Sequence, residues 1–132
     1  MRVAQCQCGA LKAEAAGQAE SVVACSCGAC QRRSGSAFGV GLYYSRDKVA
    51  LSGEAREFVR VADSGNPFHS FFCAACGTTL YWYSARDPNR TFNDPQLQRP
   101  DRTVFDENKH AWVSFPADMP GFIHGRDSAR SR

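Results

Sequence analysis

Apolar and polar positions alternate along much of this chain, most clearly in Ala37-Phe-Gly-Val-Gly-Leu-Tyr-Tyr44. There Phe38, Val40, Leu42 and Tyr44 share one face and small residues the other, which predicts a strand. Further strands are expected at Leu11 to Ala15, Val49 to Leu51, Glu57 to Val61, Phe68 to Phe72 and Thr79 to Tyr83. Turn signals such as Ser52-Gly53 and Ser64-Gly-Asn-Pro67 separate them. Trp112 to Phe115 reads as a late strand stopped by Pro116. Only Gly28 to Ser34 suggests a helical turn, with Cys30 just inside it and Arg32 and Arg33 at its exit. The stretch from Asn93 to Asp106, rich in proline and charge, reads as a long ordered loop. The expected fold class is therefore mainly β, short strands in one domain over residues 1–125, with 126–132 a frayed tail.

Seven cysteines in three tight groups change this picture: Cys6-Gln-Cys8, Cys25-Ser-Cys27-Gly-Ala-Cys30 and Cys73-Ala-Ala-Cys76. Four sulfurs complete a tetrahedral zinc site, and three is the number a catalytic zinc uses when one position stays open, so four plus three accounts for an odd total. Extended residues i and i+2 put their Cα atoms about 6.6 Å apart, near the upper limit for a disulfide. Zn–S bonds of about 2.3 Å ask only that the sulfurs approach one another within about 4 Å. Gly9, Gly28 and Gly77 each follow a cysteine and let the backbone turn under the sulfurs. The rival arrangements are a disulfide scaffold with one thiol left over, or one zinc site plus buried free cysteines. Cys6, Cys8, Cys73 and Cys76 form two pairs that close a tetrahedron and leave the triple Cys25, Cys27 and Cys30 for chemistry. Pairing Cys27 and Cys30 with Cys73 and Cys76 is the competing assignment.

Charge and hydropathy narrow the classes. The first residues, Met1-Arg2-Val3-Ala4-Gln5, carry no apolar stretch, and no window approaches a membrane span. A reducing, cytoplasmic setting is expected, where clustered cysteines act as metal ligands or catalysts. The formal charge of +3 would be cancelled by seven thiolates on two Zn²⁺ ions. Apart from Arg32-Arg33 the basic residues are scattered among acids, which disfavours a nucleic-acid surface.

The order Cys6-Gln-Cys8-Gly9, Cys25-Ser-Cys27-Gly-Ala-Cys30 and Phe72-Cys73-Ala-Ala-Cys76-Gly77-Thr78 resembles the glutathione-dependent formaldehyde-activating enzyme family, which also holds the centromere protein V-like proteins. The segment Gln31-Arg-Arg-Ser-Gly35 resembles the family as well. The resemblance implies a β-tent fold of short antiparallel strands stapled by zinc. It also implies a structural zinc on Cys6, Cys8, Cys73 and Cys76 and a catalytic zinc on Cys25, Cys27 and Cys30. The implied activity is that of a carbon-sulfur lyase, the reversible addition of a thiol such as glutathione to formaldehyde. The chain departs from the family pattern between Tyr83 and Phe92, where only Ser84-Ala-Arg-Asp-Pro-Asn-Arg-Thr91 stands in place of an apolar strand.

Three thiolates on Zn²⁺ leave a net charge of −1, poorly suited to activating water but suited to holding an incoming thiol as its thiolate beside a small aldehyde. A proton donor for the resulting alkoxide would come from His69, His110, Tyr43, Tyr44 or water. His69, between Phe68 and Ser70, reads more readily as a surface histidine, and His110 beside Ala111-Trp112 and His124 near the tail more so. Arg32 and Arg33 suit a substrate carboxylate or simply a solvated helix end. Tyr81 and Tyr83 share a strand face opposite Trp82, and core packing is expected of one of those faces. The non-enzymatic rival is a zinc-stapled interaction module in which a fourth ligand, such as His69 or Asp63, closes the triple.

Overall fold

The computed structural model describes residues 1–84 and 90–132, and it folds as two compact units. The first unit comprises Met1–Glu20 and Leu42–Pro95, the second Ser21–Gly41 and Gln96–Arg132.

In the first unit, β1 (Arg2–Gln5), β2 (Lys12–Ala15) and β5 (Val49–Ser52) form an antiparallel sheet in the order β1-β2-β5. Strand β2 follows the period-2 rule, burying Ala13 and Ala15 and exposing Lys12 and Glu14. Beside it, the far end of β4 (Gly39–Tyr44) pairs with β9 (Arg90–Phe92). The meander continues through β8 (Thr79–Ser84), β7 (Pro67–Cys73) and β6 (Ala55–Val61). Leu42 and Tyr44 alternate inward as expected, and Leu42 sits opposite Phe92 in register. Tyr44 stacks on Phe92 with ring centroids 5.3 Å apart, and its hydroxyl donates to the Gly17 carbonyl at 3.1 Å. Leu11, Leu42, Tyr44, Leu80 and Phe92 are fully buried, each contributing about 1.5–3 kcal/mol of apolar transfer. The expected strands at Leu11 to Ala15, Val49 to Leu51, Glu57 to Val61, Phe68 to Phe72 and Thr79 to Tyr83 are all present within a residue or two.

In the second unit, β3 (Ser21–Cys25) leads into α1 (Gly28–Ser34), the helix that the sequence placed at these residues. Cys27 caps α1, its sulfur accepting the Cys30 amide at 3.3 Å, and Gly35 closes it in the left-handed conformation. Strand β10 (Arg102–Val104) lies within the stretch expected to be all loop, and it pairs with β3 in parallel, Val104 opposite Cys25. Not every pair in this mainly β fold is therefore antiparallel. Asp101 anchors the start of that pairing by accepting the Val22 amide at 2.8 Å on its carboxylate.

Trp112 to Phe115 is not a strand. It has no ladder partner among the described residues, Trp112 is 76% exposed, and the Val113 amide instead closes a turn onto the His110 carbonyl at 3.0 Å. The last residues fold back rather than extend into solvent. The Asp106 carboxylate accepts from Thr103 Oγ1 at 2.9 Å, Ser131 Oγ at 2.6 Å and the Arg132 guanidinium at 2.8 Å. The shortened segment between Tyr83 and Phe92 falls mostly on residues 85–89, outside the described residues.

Candidate functional site

Both zinc-type groups assemble, and each lies wholly within one unit. In the first unit, Cys6 follows β1 and Cys73 ends β7, and each opens a tight turn closed by a glycine with positive φ: Gly9 at 82° and Gly77 at 79°. The two turns share a plan. Cys6 and Cys73 donate their amides to the carbonyls of Leu11 and Thr78, at 3.0 and 2.9 Å, and accept the amides of Gly9 and Gly77 on their own carbonyls. In each turn the first cysteine is buried and the second exposed. Cys6 Sγ lies 3.6 Å from Cys8 Sγ, and Cys8 Sγ lies 3.7 Å from Cys73 Sγ. These are the edges of a tetrahedron with Zn–S bonds of about 2.3 Å, and all four sulfurs lie within 4.8 Å of one another.

Donors surround these sulfurs. Cys6 Sγ accepts the Leu11 amide at 3.3 Å and Cys73 Sγ the Ala75 amide at 3.4 Å. Thr78 bridges the two turns, its hydroxyl oxygen 3.2 Å from Cys76 Sγ and accepting the Gln7 amide at 3.2 Å. The Thr78 hydroxyl and amide hold the Cys76 thiol down at about 5. Cys8 moves the opposite way, up to about 11: the Ala10 amide favours its thiolate, but the sulfurs of Cys6 and Cys73 together outweigh that amide. Four crowded sulfurs cannot all ionise by themselves, and a divalent cation removes that conflict. The donor set, spacing and surrounding amides fit zinc.

The second unit brings Cys25, Cys27 and Cys30 together from the end of β3, the cap of α1 and its first turn, with their sulfurs within 4.8 Å. All three are half-buried. Among the described residues no fourth His, Cys, Asp or Glu ligand atom joins them. The Cys25 thiol is pushed up by the sulfurs of Cys27 and Cys30 and then by burial. The Cys30 thiol is also raised, because Cys25 favours its thiolate but Cys27 and burial together outweigh that. Three facing thiols that resist joint ionisation also fit a cation.

Parallel pairing with β10 fixes the base of this site, since the Ser26 amide, between two of the cysteines, donates to the Val104 carbonyl at 3.1 Å. A strut not foreseen in the sequence is Gln31. Its amide nitrogen donates to the carbonyls of Ser26 at 2.8 Å and Asn108 at 3.2 Å, so its oxygen is the acceptor for His110 Nε2 at 2.8 Å. The network therefore assigns the proton to His110 Nε2. In the sequence Gln31 stood out only as the first residue of the family-like segment Gln31-Arg-Arg-Ser-Gly35, with no role attached.

The other candidate residues scatter. His69 stacks on Tyr83 at 4.8 Å and binds Glu57 through Nδ1 at 2.8 Å, both in the first unit. Phe71 stacks between Tyr81 and Tyr83, so that face packs, while Trp82 is buried on the other. Tyr44 belongs to the core, and Tyr43 is half-buried on β4. Asp63 is exposed in the β6–β7 turn, and His124 pairs with Glu107 at 2.9 Å. Of the three histidines, only His110 is tied to the helix that carries Cys30.

No curated protein matches the chain. Residues 1–114, a span that takes in all seven cysteines, match the family described as glutathione-dependent formaldehyde-activating enzyme, and the chain belongs to that family.

Proposed function

We propose that this protein is a zinc-dependent carbon–sulfur lyase that adds a thiol of the glutathione type reversibly to formaldehyde or another small carbonyl compound. The observation that carries the reading is the unequal division of sulfur: four ligand atoms in one unit and three in the other, with no fourth joining them among the described residues. In this reading Cys6, Cys8, Cys73 and Cys76 hold a structural zinc and Cys25, Cys27 and Cys30 a catalytic one. When bound to the triple, zinc supplies a soft Lewis acid with one exchangeable position, where a thiol is favoured as its thiolate at neutral pH.

The reaction forms a C–S bond at the carbonyl carbon, and the proton lost from sulfur ends on the carbonyl oxygen, with no change of oxidation state. The chain's own part is placement. The cap of α1 and the β3–β10 ladder fix three sulfurs at one end of a short helix, and Gln31 ties that helix to the Asn108–His110 segment. His110, with its Nε2 proton committed to Gln31, leaves Nδ1 to exchange a proton with the product hydroxyl or with solvent. In this reading the protein works in a reducing compartment, the cytoplasm, where clustered cysteines serve as metal ligands.

The test has two parts. Metal analysis of anaerobically purified, reduced protein should give two zinc ions per chain. The approach to equilibrium of formaldehyde with glutathione should be accelerated by the wild type and not by a Cys27→Ser variant that retains one zinc. One zinc per chain, or equal rates with and without protein, would sink the proposal.

A further inference from the structure

Arg33 lies in the last turn of α1, and Gly39 opens β4. A β-carbon built on Gly39 would stand 2.5 Å from one guanidinium nitrogen of Arg33 and 3.4 Å from the β-carbon of Cys30. The cationic end of Arg33 and the Cys30 side chain therefore border the same small space, and that space exists because residue 39 has no side chain. Gly39 is buried and its φ lies outside the left-handed region, so the vacancy answers a packing need rather than a turn.

A set of three thiolates repels a fourth anion. A divalent cation offsets two of those charges and leaves the set negative, so a thiol arriving as its anion still meets a like charge. A fixed positive charge at short range and half-buried position reduces that penalty, and by the same Coulomb term it disfavours the divalent cation itself. A merely structural arginine would not move these two affinities in opposite directions.

We propose that Arg33 is a positioning residue. Its guanidinium, seated beside Cys30 through the bare backbone of Gly39, supplies the countercharge that draws an anionic sulfur to the Cys25, Cys27 and Cys30 set. The inference rests on the reading that a thiol is the substrate, and it identifies the form selected as the thiolate.

The experiment uses full-length protein substituted with cobalt, in which ligand binding at the triple changes the visible spectrum. The probes are 2-mercaptoethanol, which binds as an anion, and imidazole, which binds neutral. In Arg33→Gln, 2-mercaptoethanol should bind about tenfold more weakly after allowance for solvent screening, imidazole should bind as in the wild type, and cobalt should be held more tightly against a competing chelator. Arg33→Lys should keep most of the thiol affinity. Gly39→Ala should reproduce the Arg33→Gln pattern, because the added carbon displaces only the far end of a flexible side chain. Added salt should weaken thiol binding in the wild type more than in Arg33→Gln.

Unchanged thiol affinity in Arg33→Gln overturns the inference, as does a parallel fall for thiol, imidazole and cobalt. A Gly39→Ala protein that binds thiol like the wild type overturns the role given to Gly39. A wild-type cobalt protein that ignores thiol altogether refutes the proposed function itself, a result distinct from any of these because it needs no variant.

Discussion

Gly53 passes so close to Ala10 that a β-carbon on residue 53 would overlap the Ala10 carbonyl oxygen and come within 2.9 Å of Leu11 Cα. The contact joins the connection between β5 and β6 to the turn that carries Cys6 and Cys8. Gly53 also has φ +98°, which an L side chain adopts only under strain. Gly53→Ala should therefore destabilise the protein by about 3 kcal/mol or more, combining backbone strain with a collision against main-chain atoms that cannot swing away. Denaturant unfolding of the zinc-loaded variant checks this, and a loss below about 1 kcal/mol would contradict the packing described.

The two sulfur groups should fail differently. Cys73→Ser removes a ligand from the four-sulfur cluster, where metal binding adds to folding free energy, and should lower the unfolding midpoint from that of the zinc-loaded wild type to that of the metal-free protein or below. Cys27→Ser should lose metal from the triple while keeping the fold, because a serine oxygen replaces the sulfur that caps α1. Circular dichroism melts with metal counts separate the outcomes. Equal loss of structure in both variants would refute the division.

Acidity of the metal-free cluster is expected to set a stability optimum. The folded Cys76 thiol sits at about 5 against an ordinary 9.0, so its contribution is complete above 9.0 and disappears as pH falls through 5. Cys8 sits at about 11, so its contribution is complete below 9.0 and is lost as pH rises through 11. Reduced, metal-free protein should thus gain stability from pH 5 toward 9.0 and lose it beyond. Thr78→Val should flatten the acidic limb, since the Thr78 hydroxyl is the main cause of the Cys76 shift. Denaturation midpoints across this range give the answer, and an identical acidic limb in the variant would exclude that role for Thr78.

Arg132 answers a buried charge. The Asp106 side chain is only 4% exposed, and Arg132 reaches both Asp106 and Thr103, each at 2.8 Å. Arg132→Ala leaves that carboxylate short of its cation and should cost about 3 kcal/mol. Arg126→Ala, at an exposed position, should cost almost nothing. Thermal melts of the two variants compare them directly, and equal midpoints would mean that the closing segment contributes no stability.

What was legible in the sequence was local. The Gly28–Ser34 helix was readable because its cap, its length and its closing glycine are adjacent in the chain. The hairpin strands were readable because glycine and proline mark their turns. Strand β10 was hidden because three residues among prolines and charges carry no period, and their partner is a parallel strand far away in the chain. Trp112 to Phe115 has the composition of a strand but no neighbour to pair with. In the candidate site, the cysteine groups announced themselves by spacing. Thr78, Gln31 and Gly39 did not, because a bridging hydroxyl, a strut and an unfilled space are properties of the assembled fold.

The parallel β3–β10 ladder also orders events in time. A nascent chain delivers Cys6, Cys8, Cys73 and Cys76 to solvent before it delivers Arg102–Val104, the strand against which Cys25 is aligned. Translation therefore releases a complete four-sulfur cage while the flank of the three-sulfur one is still being made. The four-sulfur set is thus complete as a set of ligand atoms before the three-sulfur set gains the strand that aligns Cys25.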